Sequence, residues 1–187
     1  MRIGIGLTRF PWPAEEIGPV ITHLAQTADE AGFDSLWVMD HFFQIRLSGL
    51  PPESPMPEAY ATLAYLGGVT RRIRLGTLVT SVAYRHPGVL VKAVTSLDVL
   101  TGGRMIFGVG AGAPWNVAPA GPGTAFEAEG LGISFPSLAE RSSGSRNCCR
   151  SPIRCGAGIR ARTTENTTNW SARSTPRTPC SARTRRS

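Results

Sequence analysis

Three short stretches of the chain hold residues whose type and spacing can do chemistry. Asp40 and His41 follow directly on the apolar run Ser35 to Met39. A carboxylate beside an imidazole at a strand end can bind a cofactor, move a proton or cap the next turn. The plainer alternative is a turn-forming Asp with an incidental His. The second stretch runs from Thr80 to Pro87 (TSVAYRHP). Small hydroxyl residues there let a flat ligand approach the backbone, and Arg85 and His86 can hold an anionic group. Equally, Arg85 can be solvated and His86 can be scaffolding at a helix entry. The third is Gly108 to Asn116 (GVGAGAPWN), with a loose GxGxxA match from Gly108 to Ala113. That fingerprint belongs at the start of a helix after the first strand of a unit, whereas this copy follows a fourth strand and runs into Pro114. Closely spaced glycines still permit main-chain contact with a phosphate or ring, a tight turn being the alternative. The pattern contains no evident nucleophile or metal cluster.

These stretches need elements to position them. Ile3 to Leu7 reads as a buried strand. A helix follows, with Pro13 at its first turn, Glu15 and Glu16 complementing its positive end, and Gly32 as its stop. Ser35 to Met39 is a second strand, and Pro57 and Glu58 open a helix to about Thr70. Ile73 to Thr80 is a third strand, and His86-Pro87 leads into a third helix that Gly102 and Gly103 end. Met105 to Val109 is a fourth strand. Strand alternating with helix at this period implies parallel βαβ units. Either a (β/α)8 barrel or an open doubly wound sheet fits, and in both the site lies at the carboxyl ends of the strands. A whole barrel takes about 250 residues, so four units are half of one.

Composition divides the chain at about Arg141. Residues 1–141 carry 10 Lys+Arg and 12 Asp+Glu, a net charge of −2. Residues 142–187 carry 10 Arg and one acidic residue, Glu165, a net of +9. The basic character therefore belongs to the tail alone. Its arginines are scattered among Ser, Thr and Pro, which does not read as a specific nucleic-acid partner, although a basic arm is one reading. Leu, Val, Met, Phe and Tyr are missing from it, and it is expected to carry no packed structure. All four cysteines lie in the tail without paired spacing, so neither a disulfide framework nor a zinc site is expected. No apolar stretch reaches the roughly 20 residues that span a bilayer, so no membrane partner is expected and the default compartment is the cytoplasm.

Taken together, AQTADEAGFDSLWVMDHFF, TRRIRLGTLVTSVAYRHPGVLVKAVTSLDVLTGGRMIFGVGAG and LGISFPSLAER resemble the luciferase-like monooxygenase superfamily, and most nearly its F420-dependent oxidoreductases. The resemblance covers about residues 1–116 and 130–141. It implies the front half of a (β/α)8 TIM barrel holding a deazaflavin (coenzyme F420) or FMN at its C-terminal face, a small-molecule substrate and a homodimer. It places Asp40 and His41 beside the cofactor as catalytic candidates. It also matches Thr80, Ser81 and Val82 to a bulge backing the tricyclic ring, often with a non-proline cis peptide. Gly110, Ala111 and Gly112 match a loop near the ribityl and phosphate side. Val117 to Glu129 departs from the family pattern, replacing an acidic, helix-leading segment, and the tail matches nothing in it.

The tail has a second reading. Shifted by one base, Ser142 to Pro152 permits FERLEELLQIA, and Glu165 to Ser187 permits a string containing LQRPHPPI. Both strings resemble the family's own continuation beyond AER. The expectation is therefore a partial luciferase-like domain over 1–141 and a frameshifted tail over 142–187.

Overall fold

The structure, a computed structural model, describes residues 1–45, 48–112, 124–137, 139–143, 159–164 and 167–172. Four βα repeats dominate it. Strands β1 (Gly4–Leu7), β2 (Ser35–Val38), β3 (Arg74–Thr77) and β5 (Met105–Gly110) pair in parallel in that order. Helices α1 (Ala14–Glu30), α2 (Ala59–Val69) and α3 (Pro87–Leu100) run between them, and α4 (Thr124–Gly130) follows β5. This is the expected partial (β/α) barrel. Apolar strand residues Leu36, Val38, Leu75, Phe107 and Val109 bury against Ile17, Ile21 and Ala25 of α1, Leu63 and Leu66 of α2, and Leu90 and Val94 of α3. That burial is the main force holding sheet to helices.

The caps follow the sequence with small shifts. Pro13 is the N-cap of α1, Glu58 caps α2 by accepting from the Ala61 amide at 2.7 Å, and Gly32 closes α1 with φ 79°. The third strand is not continuous as expected. It breaks after Thr77 at a cis Leu78–Val79 peptide, then resumes as β4 (Thr80–Ser81), which pairs with Val109 and Gly110 of β5.

β5 makes room for that break. A Cβ on Gly108 would sit 2.7 Å from the Thr77 carbonyl oxygen, and one on Gly110 would sit 2.7 Å from Val79 Cγ2. Close packing of β5 on residues 77–80 therefore accounts for both glycines.

At the amino ends of the strands, charged side chains fasten main chain. Asp29 accepts from the amides of Arg71 at 2.7 Å, Arg72 at 3.0 Å and Ile73 at 2.7 Å. Burial works to raise its carboxyl, but the three amides outweigh it and hold it below the usual carboxylate range. Arg104 donates to the carbonyls of Gly67, Thr70, Ile73 and Thr101. Beside it Asp98 is buried with one oxygen lacking a partner, and burial pushes its carboxyl up.

Of the tail, Ser142 and Ser143 end a short helical stretch that begins at Ala139, and beyond them only the backbone of an antiparallel hairpin is described, β6 (Ile159–Thr164) and β7 (Thr167–Ala172), with β7 antiparallel to β5. The sequence reading assigned no strand there. The sense of pairing also differs from the parallel order of the four repeats. The rest of the tail expectation falls outside the described residues. Among the described residues, no helix is long and apolar enough to cross a membrane and no cluster suits a metal ion.

Candidate functional site

At the carboxyl ends of the strands the charged groups engage one another. Asp40, just past β2, is 4% exposed. Its Oδ2 accepts from the Ser81 amide at 2.9 Å and from Arg85 at 2.8 Å, and its Oδ1 accepts from Arg85 at 2.8 Å. The fork of Arg85 thus meets both carboxylate oxygens, the geometry a guanidinium suits best. Arg85 also donates to Glu58, the cap of α2, and stacks 4.8 Å from the Tyr60 ring and 5.5 Å from the Phe42 ring. Burial works against its charge, yet the bonds to Asp40 and Glu58 hold its pKa above the ordinary arginine value. Arg85 is therefore neither solvated nor a free anion binder. Two carboxylates spend its charge, one of them holding β4 in place.

The hydroxyls of β3 and β4 form one chain. Thr77 donates to the Gly108 carbonyl, so Thr80 must donate to Thr77, and the Tyr60 hydroxyl to Thr80 at 2.6 Å. Burial pushes the Tyr60 phenol up, which suits a donor. Thr80 is fully buried and its side chain is consumed inside the protein. Ser81 and Val82 are held through main chain, Ser81 by Asp40 and Val82 by donation to the Gly110 carbonyl at 3.1 Å. The structure thus gathers Asp40, Ser81, Val82 and Gly110, which the sequence separates by up to seventy residues.

His41 faces a residue that sequence reasoning passed over. Its Nδ1 lies 2.7 Å from Oε1 of Glu127, on α4, and Glu127 is 2% exposed. Oε2 of Glu127 accepts from the Phe42 amide at 3.2 Å and from the Tyr84 hydroxyl. Glu127 lies in the stretch from Val117 to Glu129 that the sequence reading set apart from the family pattern. The only signal was a carboxylate within the helical run TAFEAEG.

His86 is the N-cap of α3, its Nδ1 accepting from the Gly88 amide at 3.2 Å. That bond is scaffolding at a helix entry.

A second missed residue is Arg141. It is 6% exposed and donates to the carbonyls of Ala111 at 2.8 Å and Gly112 at 3.2 Å. It stacks 4.3 Å from Phe135, and its Nε is buried without a partner. No carboxylate pairs with it among the described residues. Outside them the sequence holds one acidic side chain, Glu165. Arg141 lines a cavity of about 410 Å³ with residues 82–87, Ile133, Ser134, Pro136 and Glu140, whose carboxylate accepts from Ser137. A larger cavity, about 500 Å³, lies between α1 and α2 and touches none of these groups.

The luciferase-like monooxygenase family matches residues 15–131, a span that runs through Val117 to Glu129, the stretch expected to depart from it. An F420-dependent glucose-6-phosphate dehydrogenase of Nakamurella multipartita is 36% identical over 133 residues, 68% of this chain and 34% of that one. A 4-hydroxyprotoasukamycin monooxygenase of Streptomyces nodosus subsp. asukaensis is 43% identical over 89 residues, 48% of this chain and 22% of that one. Among solved structures, the oxygenating constituent of 3,6-diketocamphane monooxygenase from Pseudomonas putida, in complex with FMN, superposes with a TM-score of 0.62. It is 17% identical, covers 91% of this chain and 44% of that one, and shares the fold. The chain therefore spans about a third or less of the length of these two curated relatives.

Proposed function

The chain belongs to the luciferase-like monooxygenase family, and from that premise we propose that its chemistry is F420-dependent oxidoreduction of a small organic substrate. The observation that carries the proposal is the Asp40 carboxylate fastening the Ser81 amide and Arg85. It fixes the main chain of residues 80–82 as a platform for a planar ring. Bound there, a deazaflavin supplies the two-electron step, and the protein supplies position and electrostatics.

The residues present fit such a group. Arg141 is a buried cation with an orphan N–H beside the carbonyls of Ala111 and Gly112, and a buried charge calls for a counter-ion. The phosphate of a cofactor supplies one. Gly110, Ala111 and Gly112 would line that end, Ser81 and Val82 the ring, and His41 would hold or accept a proton. Asp40 has both oxygens occupied and acts by positioning.

The relative named for F420 supports the deazaflavin. An FMN-dependent monooxygenase is the second reading; the more identical relative supports the monooxygenase class, and FMN is the group in the superposed Pseudomonas putida structure. Titrating the protein with each cofactor, read by F420 fluorescence and FMN absorbance, separates the two. Saturable binding of F420 alone is expected, and binding of neither ends the proposal.

We also infer that residues 142–187 are read one base out of phase, which the family-like strings permitted by the shifted codons support. Sequencing the coding DNA around the Arg141 codon tests it. An uninterrupted frame, matched on the expressed protein, ends the idea.

A further inference from the structure

We propose that Glu127 is a positioning residue that fixes the tautomer of His41, leaving Nε2 as the free basic nitrogen in the site. The proposal rests on the reading of His41 as the proton-handling group.

Three donors converge on Glu127. The Phe42 amide and the Tyr84 hydroxyl both point at Oε2. The amide can only donate. An ionised carboxylate accepts all three; the only other arrangement puts the shared proton on Oε1, and because a carboxylic acid is a stronger acid than an imidazolium the proton belongs on the ring. Nδ1 of His41, 2.7 Å from Oε1, must then carry the proton, and Nε2 is left with its lone pair. Glu127 is 2% exposed whereas the His41 side chain is 28% exposed, so the pair is buried at the carboxylate and open at the imidazole. A proton taken up at Nε2 leaves the Nδ1–H still donating to the carboxylate, so the ring keeps its pose through the transfer. Orientation of this kind by a buried acid is a known way to hold a histidine in one working form.

His86 supplies an internal contrast. Its Nδ1 accepts from the Gly88 amide, so in the neutral ring the proton sits on Nε2. The two histidines thus hold opposite tautomers, each dictated by the group that meets Nδ1.

The test is the nitrogen NMR spectrum of the full chain labelled with 15N-histidine, without cofactor. His41 is expected with a protonated Nδ1 and a bare Nε2. In Glu127→Gln the carbonyl oxygen must stay with the Phe42 amide, since that donor cannot turn. The amide NH2 then faces Nδ1 and forces the proton to Nε2, so the tautomer reverses. Tyr84→Phe keeps the Glu127 carboxylate and is expected to leave it unchanged. A protonated Nε2 on His41 in the native chain overturns the proposal, as does an unchanged tautomer in a folded Glu127→Gln. If that variant does not fold, Glu127→Asp and the native spectrum decide, both expected to show the proton on Nδ1. Where turnover is measurable, Glu127→Gln lowers kcat roughly 10²-fold with KM little changed. Failure of cofactor binding would sink the functional reading while leaving the tautomer result standing.

Discussion

The two ends of the same parallel strands use charge differently. At the amino ends, Asp29 and Arg104 are spent on main chain: one carboxylate on three amides, one guanidinium on four carbonyls. At the carboxyl ends, Arg85 bridges the carboxylates of Asp40 and Glu58, and Glu127 gathers an imidazole, a phenol and an amide. The first arrangement closes the structure and offers nothing to a ligand. The second holds side chains in fixed poses beside a cavity, as expected where barrels place their chemistry. One class of residue therefore serves stability at one end and preorganisation at the other.

That contrast predicts unequal effects of similar substitutions. The largest is expected for Asp40→Ala, which leaves Arg85 short of a buried partner and the Ser81 amide without an acceptor. Breaking such a pair costs about 3–5 kcal/mol. Urea unfolding should show that loss, and cofactor binding should disappear with it. Asp29→Ala should cost about 2–3 kcal/mol through three orphaned amides, with cofactor affinity in the folded fraction unchanged. Equal loss of binding in both variants would erase the distinction between the ends.

Arg141→Gln should cost roughly tenfold or more in affinity for a phosphate-bearing cofactor, since a charged hydrogen bond is worth about 1.5–3 kcal/mol. Affinity for the same ring system without its phosphate should stay put. Gly108→Ala should destabilise by about 1–3 kcal/mol, the usual range for overpacking, because its Cβ meets the Thr77 carbonyl.

The smallest effect is on pH dependence. The folded carboxyl of Asp29 is lowered, so its contribution is complete above the unfolded value, about 3.9, and is lost as pH falls through the lower folded value. Asp98 is raised and works the other way: its contribution is full below the unfolded value and fades as pH rises through the folded one. Asp29→Asn should flatten the acid limb of the stability profile, and Asp98→Asn should flatten the limb above it.

Much of this architecture was legible in the chain because it is local. Helix α1 announces itself by Pro13, Glu15, Glu16 and Gly32, and α3 by His86 and Pro87, all within a turn of the ends they mark. The break after Thr77 was not legible in the residue pattern, since IRLGTLVT reads as one unbroken apolar strand; only the family resemblance, which put a bulge with a cis peptide close by at Thr80 to Val82, pointed to it. Nor was the bond from Asp40 to Arg85, which joins residues 45 apart, or that from His41 to Glu127, which joins residues 86 apart. Pairings at that separation are set by how strands lie side by side, and no periodicity records them. Asp40 and His41 stood out by type and place, whereas Arg141 looked like an ordinary surface arginine closing LAER.

The bare ridge on β5 bears on how such a scaffold can diverge. Gly108 and Gly110 specify the path of residues 77–80 by omission, through side chains that are not there. A lineage that filled either gap would shift the segment that Asp40 clamps and so disturb the platform from behind. Innovation in descendants of this scaffold is thereby channelled outward, to exposed rim positions such as Val89, where new atoms displace solvent instead of neighbouring main chain.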